Sequence, residues 1–245
     1  MRHVLVLIAL SIVGCTPRFA EMRALLDAPE NIILPFDSSY LEFAPVIQFF
    51  ERQDASLPDS SRRIVFTGSS SIRMWDSLAV DLDTFSDYLI LNRGFGGSTL
   101  PEVNYYFDTL ISRHNPAAVV LYCGENDIAD GFTPKEVYES FRTFLKLHLR
   151  RTPDAKLLYL GLKPSPARWE LWPEFEETNR AIAQLIRRLD SPHIRYLDVA
   201  SVMLSPRDGR PDPTIFVQDS LHLNRQGYER WREIVIPALE ALLDC

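Results

Sequence analysis

Three cysteines among 245 residues leave little room for sulfur chemistry. Cys15, Cys123 and Cys245 have neither the spacing of a disulfide framework nor that of a zinc site. Cys123 closes an apolar run and is expected to be buried as a small hydrophobe. Glycine is also scarce. Gly94, Gly96 and Gly97 cluster without the Gly-x-Gly-x-x-Gly spacing of a dinucleotide loop, and Gly68-Ser69-Ser70-Ser71 lacks the Gly-Lys-Ser/Thr signature of a phosphate loop. No basic run or stripe interrupts a formal net charge of −7, so nucleic acid is not an expected partner. No apolar run reaches the roughly 20 residues that span a bilayer. Internal repeats, low-complexity tracts and domain-scale linkers are absent too.

What remains is ordinary globular material, 46% hydrophobic and 24% charged, enough for one domain with a full core. The N-terminus stands apart from it. Arg2 and His3 precede a mostly apolar stretch over 4–13, then Gly14-Cys15, the layout of a cleaved secretory signal. Ile12-Val13-Gly14-Cys15 resembles the lipobox of bacterial lipoproteins. That resemblance implies cleavage before Cys15, a lipid on its thiol, and a membrane-anchored protein of the bacterial cell envelope. The alternative is an ordinary signal with Cys15 incidental. The expected divisions are a signal over 1–14, a tether and N-terminal segment over 15–39, and the folded domain over 40–245.

Phe43, Val46, Ile47 and Phe50 recur at i, i+3, i+4 and i+7, the mark of one helix face. Pro45 fits only the first turn, so a short helix is expected from there to about Asp54. Beyond it the pattern alternates. Strands are expected over 64–67, 88–92, 117–123, 157–162 and 194–199. Helices are expected over 72–80, 100–113, 134–150, 175–189 and 225–243. Most strands are continuous apolar runs, as when both faces are covered. The β-α-β-α order predicts an α/β fold with a parallel sheet and helices on both sides. In such sheets ligands bind beyond the carboxyl ends of the strands. The unusual segments fall there: Ser70 after the first strand, 92–98 after the second, 124–127 after the third, 163–165 after the fourth. The fifth leads into a long loop carrying Asp219-Ser220-Leu221-His222.

These loops offer the parts of acyl transfer. A serine at a strand-to-helix turn lies beside the free N–H groups of the helix start, which suits a nucleophile that generates an oxyanion. Of five histidines, His3 falls in the signal, and His114, His148 and His193 fall away from the rim. His222 has an acid three residues earlier, close enough for Asp219 to hold Nδ1–H and present Nε2. The blander alternative makes Asp219 a helix cap and His222 a surface residue. Gly97 allows a backbone N–H to approach a ligand. Asn126 carries a neutral amide with two N–H donors. Asp127 reads as a structural residue at the strand end and Glu125 as solvated. Trp169 and Lys163, near the rim, are candidates to line a substrate pocket, although aromatics there also suit lid packing or core.

Gly68-Ser69-Ser70, Gly97 within 92–97, Gly124-x-Asn126-Asp127 and Asp219-x-x-His222 together resemble the four blocks of the SGNH (GDSL-type) hydrolases, in that family's order. The resemblance implies a three-layer α/β/α sandwich with a five-stranded, flavodoxin-like parallel sheet. It implies Ser70 as nucleophile, His222 as general base and acid, and Asp219 as its orienter. The oxyanion donors would be the Ser70 and Gly97 N–H groups and the Asn126 side chain. No metal or organic cofactor is implied, and the substrate would be a lipid acyl or O-acetyl ester. One departure is Ser69, where the family commonly has Asp. It leaves three consecutive serines, of which alignment on Gly68 selects Ser70. Two other classes remain open: a non-catalytic envelope binding lipoprotein on the same fold, and a metal-dependent hydrolase using Asp219 and His222 as ligands.

Overall fold

A computed structural model of the chain describes residues 36–58 and 61–244, together with Leu25, Ile32 and Leu34. The lipobox-like stretch with Cys15, and most of the segment expected as a tether, lie outside the described residues.

The continuous apolar runs form β1 (Arg62–Gly68), β2 (Tyr88–Gly94), β3 (Ala118–Tyr122), β4 (Lys156–Leu160) and β5 (Ile194–Leu197). All pair in parallel, in the order β2-β1-β3-β4-β5. The helices are α1 (Ala44–Asp54), α2 (Ser70–Arg73), α3 (Leu78–Asp81), α4 (Leu100–Tyr105), α5 (Phe107–Leu110), α6 (Glu125–Ala129), α7 (Pro134–Arg151), α8 (Trp172–Leu189) and α9 (Arg225–Leu243).

Alternate strand residues enter two separate cores, which explains the continuous apolar runs at the centres of most strands. Val65, Val119, Leu121, Leu157 and Tyr159 pack with Ile47 and Phe50 of α1, Phe141 and Phe144 of α7, and Ile182 and Leu185 of α8. Ile64, Phe66, Val120, Leu158 and Leu160 pack on the other face with Trp75, and with Trp231, Val235 and Leu239 of α9. The result is the expected three-layer α/β/α sandwich. Local sequence specifies its best-formed helix. Thr133 and Glu136 make a capping box at the start of α7, and Pro134 occupies the first turn, where its missing N–H costs nothing.

Two expected helices are broken. The segment expected as helical over 72–80 ends α2 at Arg73 and resumes as α3 at Leu78. The turn between them drives Trp75 fully into the core, where it stacks on Tyr228 and donates Nε1–H to Asp81. Over 100–113 the chain forms α4, α5 and a 3-10 turn at Ser112–His114. Val103, Tyr105, Tyr106 and Phe107 are weak helix formers, and tertiary contacts decide the path. One such contact is the Tyr106 hydroxyl donating to the Tyr40 carbonyl.

The sheet delivers the site through Gly68, the last residue of β1. Its φ is +120°, and a Cβ there would fall 1.9 Å from the Tyr122 carbonyl oxygen on β3. Only glycine lets the chain leave β1 this close to its neighbour and turn into α2. Gly68→Ala is expected to cost on the order of 3 kcal/mol or more, from backbone strain plus the clash. Chemical denaturation measures it; an unchanged midpoint would show that the turn has slack.

Candidate active site

In this strand order the chain leaves β1 toward β2 on one side and leaves β3 toward β4 on the other. The crevice between β1 and β3, at the strands' carboxyl ends, is therefore the natural ligand position. A cleft of about 590 Å³ opens there. Ser70, Gly96, Gly97, Asn126 and His222 line it, with Phe43 and Val46 supplying an apolar wall. Leu221, Arg73 and Arg168 complete the lining.

Ser69 has extended backbone and caps α2, so Ser70 is the first helical residue and its N–H has no intrahelical partner. The flanking serines are buried, Ser69 at 2% and Ser71 at 1% exposure. Ser70 is half-buried, and its Oγ lies 2.8 Å from His222 Nε2. His222 Nδ1 lies 2.6 Å from Asp219 Oδ2. The other carboxylate oxygen, Oδ1, accepts the backbone N–H groups of Leu221 and His222, each at 2.9 Å. Ser220 stands between them at φ +58°, so the Asp-to-His turn passes through the left-handed region. Burial acts to raise the Asp219 pKa, but the hydrogen bonds from the His222 ring and the two amides outweigh it and hold the carboxyl at about 2. An ionised Asp219 accepts from Nδ1–H, which leaves Nε2 as the basic nitrogen facing the Ser70 hydroxyl.

Gly97, at φ +84°, and Asn126, on α6, form the opposite wall. The Asn126 amide is held at both ends. Nδ2 donates to the Ser98 carbonyl at 2.9 Å, and Oδ1 accepts from Arg168 Nη1 at 3.0 Å. Asn126 thereby ties α6 to the loop that carries Gly97.

Two expected pocket residues are placed differently. Lys163 does not line the cleft. It is 1% exposed, and its Nζ donates to both Glu125 oxygens, at 2.8 and 3.1 Å. Trp169 stacks on Trp172 with ring centres 6.0 Å apart, and its neighbour Arg168 contributes to the cleft instead. Glu125, expected to be solvated, is buried at 3% exposure. It accepts from Lys163, from Arg168 at 3.1 Å and from the Tyr122 hydroxyl. Burial opposes its ionisation, but Lys163 and Arg168 prevail and keep its pKa below the usual carboxylate value. A carboxylate and an ammonium on adjacent strand ends was the available signal for this pair, since a charge buried at a rim needs a partner. Asp127 is structural, accepting the Leu100 N–H at the start of α4, and burial raises its pKa to about 7. Among the described residues, no cluster of three or more His, Cys, Asp or Glu is placed to hold a metal ion, and no helix is long and apolar enough to cross a membrane.

Comparison with known proteins bears on this arrangement. A sequence model described as the GDSL-like lipase/acylhydrolase family matches residues 66–230. Human platelet-activating factor acetylhydrolase IB subunit alpha1 is 29% identical over 180 residues, 71% of this chain and 74% of that protein. The solved structure of a GDSL-like lipase from Bacteroides thetaiotaomicron superposes with a TM-score of 0.64 at 19% identity, over 79% of this chain and 97% of that one. An acetyl esterase structure gives 0.60 at 15% identity, over 75% and 98%. At these identities the structural likenesses speak to the fold.

The depressed pKa of Asp219 fixes a sign. Its contribution to stability is complete above about pH 4 and is lost as pH falls toward 2. Any acid loss of activity between pH 7 and 4 therefore belongs to another group. Asp219→Asn leaves Nδ1–H without an anionic acceptor and is expected to lower kcat by about 10⁴-fold across pH 5–9. A loss under tenfold, measured on a soluble aryl ester, would remove Asp219 from the orienting role.

Proposed function

The chain belongs to the GDSL-like lipase/acylhydrolase family, and on that premise we propose that it is a serine esterase cleaving short-chain carboxylic esters through an acyl-enzyme on Ser70. The observation that carries the reading is the relay of 2.8 Å from Ser70 Oγ to His222 Nε2 and 2.6 Å from Nδ1 to Asp219. Ser70 Oγ attacks the ester carbonyl while Nε2 takes its proton. Asp219 stabilises the imidazolium that forms. The carbonyl oxygen becomes an oxyanion that accepts from the Ser70 N–H, the Gly97 N–H and the second Nδ2–H of Asn126. Collapse expels the alcohol, which leaves with the proton from Nε2. Water, deprotonated by the same nitrogen, then releases the acid.

The cleft supports a small acyl group. Phe43, Val46 and Leu221 offer apolar contact beside an otherwise polar and cationic wall. A relative named as an acetylhydrolase points the same way. Acetyl and other short esters on a lipid or carbohydrate fit this reading. The lipobox-like sequence extends it: a lipid on Cys15 would hold the enzyme at a membrane of the cell envelope.

Ser70→Ala or His222→Ala is expected to reduce kcat on p-nitrophenyl acetate by roughly 10⁴-fold or more, with one equivalent of a fluorophosphonate labelling the wild type at Ser70. Turnover near wild type in either variant contradicts the mechanism. Across an aryl ester series, kcat/KM should fall from acetate toward long acyl chains; the opposite trend would assign a long-chain lipase. The Cys15→Ala protein should leave the membrane fraction, and its retention there would exclude the anchor.

A further inference from the structure

Asn126 carries an ambiguity that a backbone donor does not. Its amide is nearly symmetric in shape, yet one end donates and the other accepts. An oxyanion is stabilised only when Nδ2 faces the cleft; a flipped amide would present Oδ1 and repel it. The contacts around Asn126 discriminate the two states. Arg168 Nη1 can only donate, and it sits 3.0 Å from Oδ1. The Ser98 carbonyl can only accept, and it sits 2.9 Å from Nδ2. A flip would oppose donor to donor on one side and acceptor to acceptor on the other.

Arg168 is itself held. The same Nη1 donates to Glu125 Oε1 at 3.1 Å. Glu125 is fixed in turn by buried Lys163 and by the Tyr122 hydroxyl. The Arg168 segment is tied to the histidine loop, because the Ala167 N–H donates to the Ser220 carbonyl at 3.0 Å. Within this trio, Lys163 and Arg168 both pair with the single carboxylate of Glu125, so Arg168 keeps charge to place on Oδ1. A cation on Oδ1 polarises the amide and strengthens its N–H donors.

We propose that Arg168 is a positioning residue of the esterase: it selects the Asn126 amide orientation that faces Nδ2 into the cleft, and its charge on Oδ1 strengthens that amide as a donor. The proposal rests on the esterase reading. Arg168 does not exchange a proton or bond with the substrate; it acts through Asn126. Lys163 is excluded from the same role, because its buried ammonium is taken up by Glu125.

The test is kinetic, with p-nitrophenyl acetate on the full chain. Arg168→Ala is expected to lower kcat by about 10- to 100-fold, below the 10²- to 10³-fold typical of deleting an oxyanion donor outright, with KM within about twofold. Arg168→Lys should recover part of the loss, since an ammonium donates without the planar fork. Millimolar guanidinium chloride should restore part of the Arg168→Ala rate and none of the Asn126→Ala rate. The decisive measurement is the double variant: Asn126→Ala with Arg168→Ala should be no slower than Asn126→Ala alone. Additive losses, or a raised KM at unchanged kcat, would overturn the proposal and make Arg168 a direct substrate contact or a merely structural group. Should Arg168→Ala fail to fold, Arg168→Gln and the same cycle with Asn126→Ala give the answer. A wild type inert toward every ester would sink the esterase reading and this inference with it; an active wild type with additive losses would sink the inference alone.

Discussion

A single hydrogen bond of 2.8 Å joins Ser70 and His222 across 152 residues of sequence. No local propensity brings those atoms together. The sheet order does, by ending β1 and β3 at one crevice and letting the loop before α9 return over it. The approach is then fixed from both ends. Gly68 turns the chain into α2 against the Tyr122 carbonyl, which also accepts the Ser69 N–H at 3.0 Å. On the far side, the Val217 N–H donates to the His222 carbonyl, and the Asn224 side chain donates to the carbonyls of Thr214 and Phe216. Each contact is a modest net contribution, of order 1 kcal/mol, but their joint effect is geometric. They leave the imidazole little freedom except the short path between carboxylate and hydroxyl.

Stability and chemistry compete at this rim. The two cores are built from apolar side chains, whereas the carboxyl edge of the sheet holds Glu125, Asp127 and Lys163 almost wholly inside the protein. Burying an ion pair rarely improves on burying apolar side chains of the same volume, because desolvation offsets the attraction. The Glu125–Lys163 pair is therefore poor evidence for stability. It is better understood as the support of a wall that must present polar groups in fixed directions. Ser220 at φ +58° belongs to the same pattern: a non-glycine residue in a costly conformation, placed where a shorter turn aims a functional side chain.

The sequence is legible where physical requirements are repetitive. Strands covered on both faces read as runs of apolar residues, and most of the five can be located from that pattern. Ser70, Gly97, Asn126 and the Asp219–His222 pair are legible as candidates because each interrupts an apolar pattern at the same edge. The failures concern direction. Position in the chain places Lys163, Trp169 and Glu125 at the rim, but whether a side chain turns outward or beneath the rim depends on partners from other strands. Lys163 turns inward because Glu125 lies there, and Glu125 is tolerable inside only because Lys163 and Arg168 reach it. Neither burial is deducible without the other. The broken helices over 72–80 and 100–113 have a similar origin, since Trp75 and Tyr106 are pulled from helical paths by contacts with Tyr228 and Tyr40.

The two walls of the cleft are also less independent than their origins suggest. One derives from β3 and α6, with Asn126 and its anchors; the other derives from the long loop after β5, with His222. The Ala167 N–H to Ser220 carbonyl bond joins them, one residue from Arg168 on one side and two from His222 on the other. A displacement of the histidine loop would therefore pull on the segment that holds the Asn126 amide. Because Ser220 already sits in a strained conformation, that loop has few alternative paths to relax into. In the proposed reaction, the group that moves the proton and the group that receives the negative charge share one mechanical frame. That coupling matters to the proposed mechanism because the two would act in the same instant: as Nε2 takes the proton from Ser70, the oxyanion would form against Asn126, and a frame that let one wall move without the other would satisfy only half of the transition state.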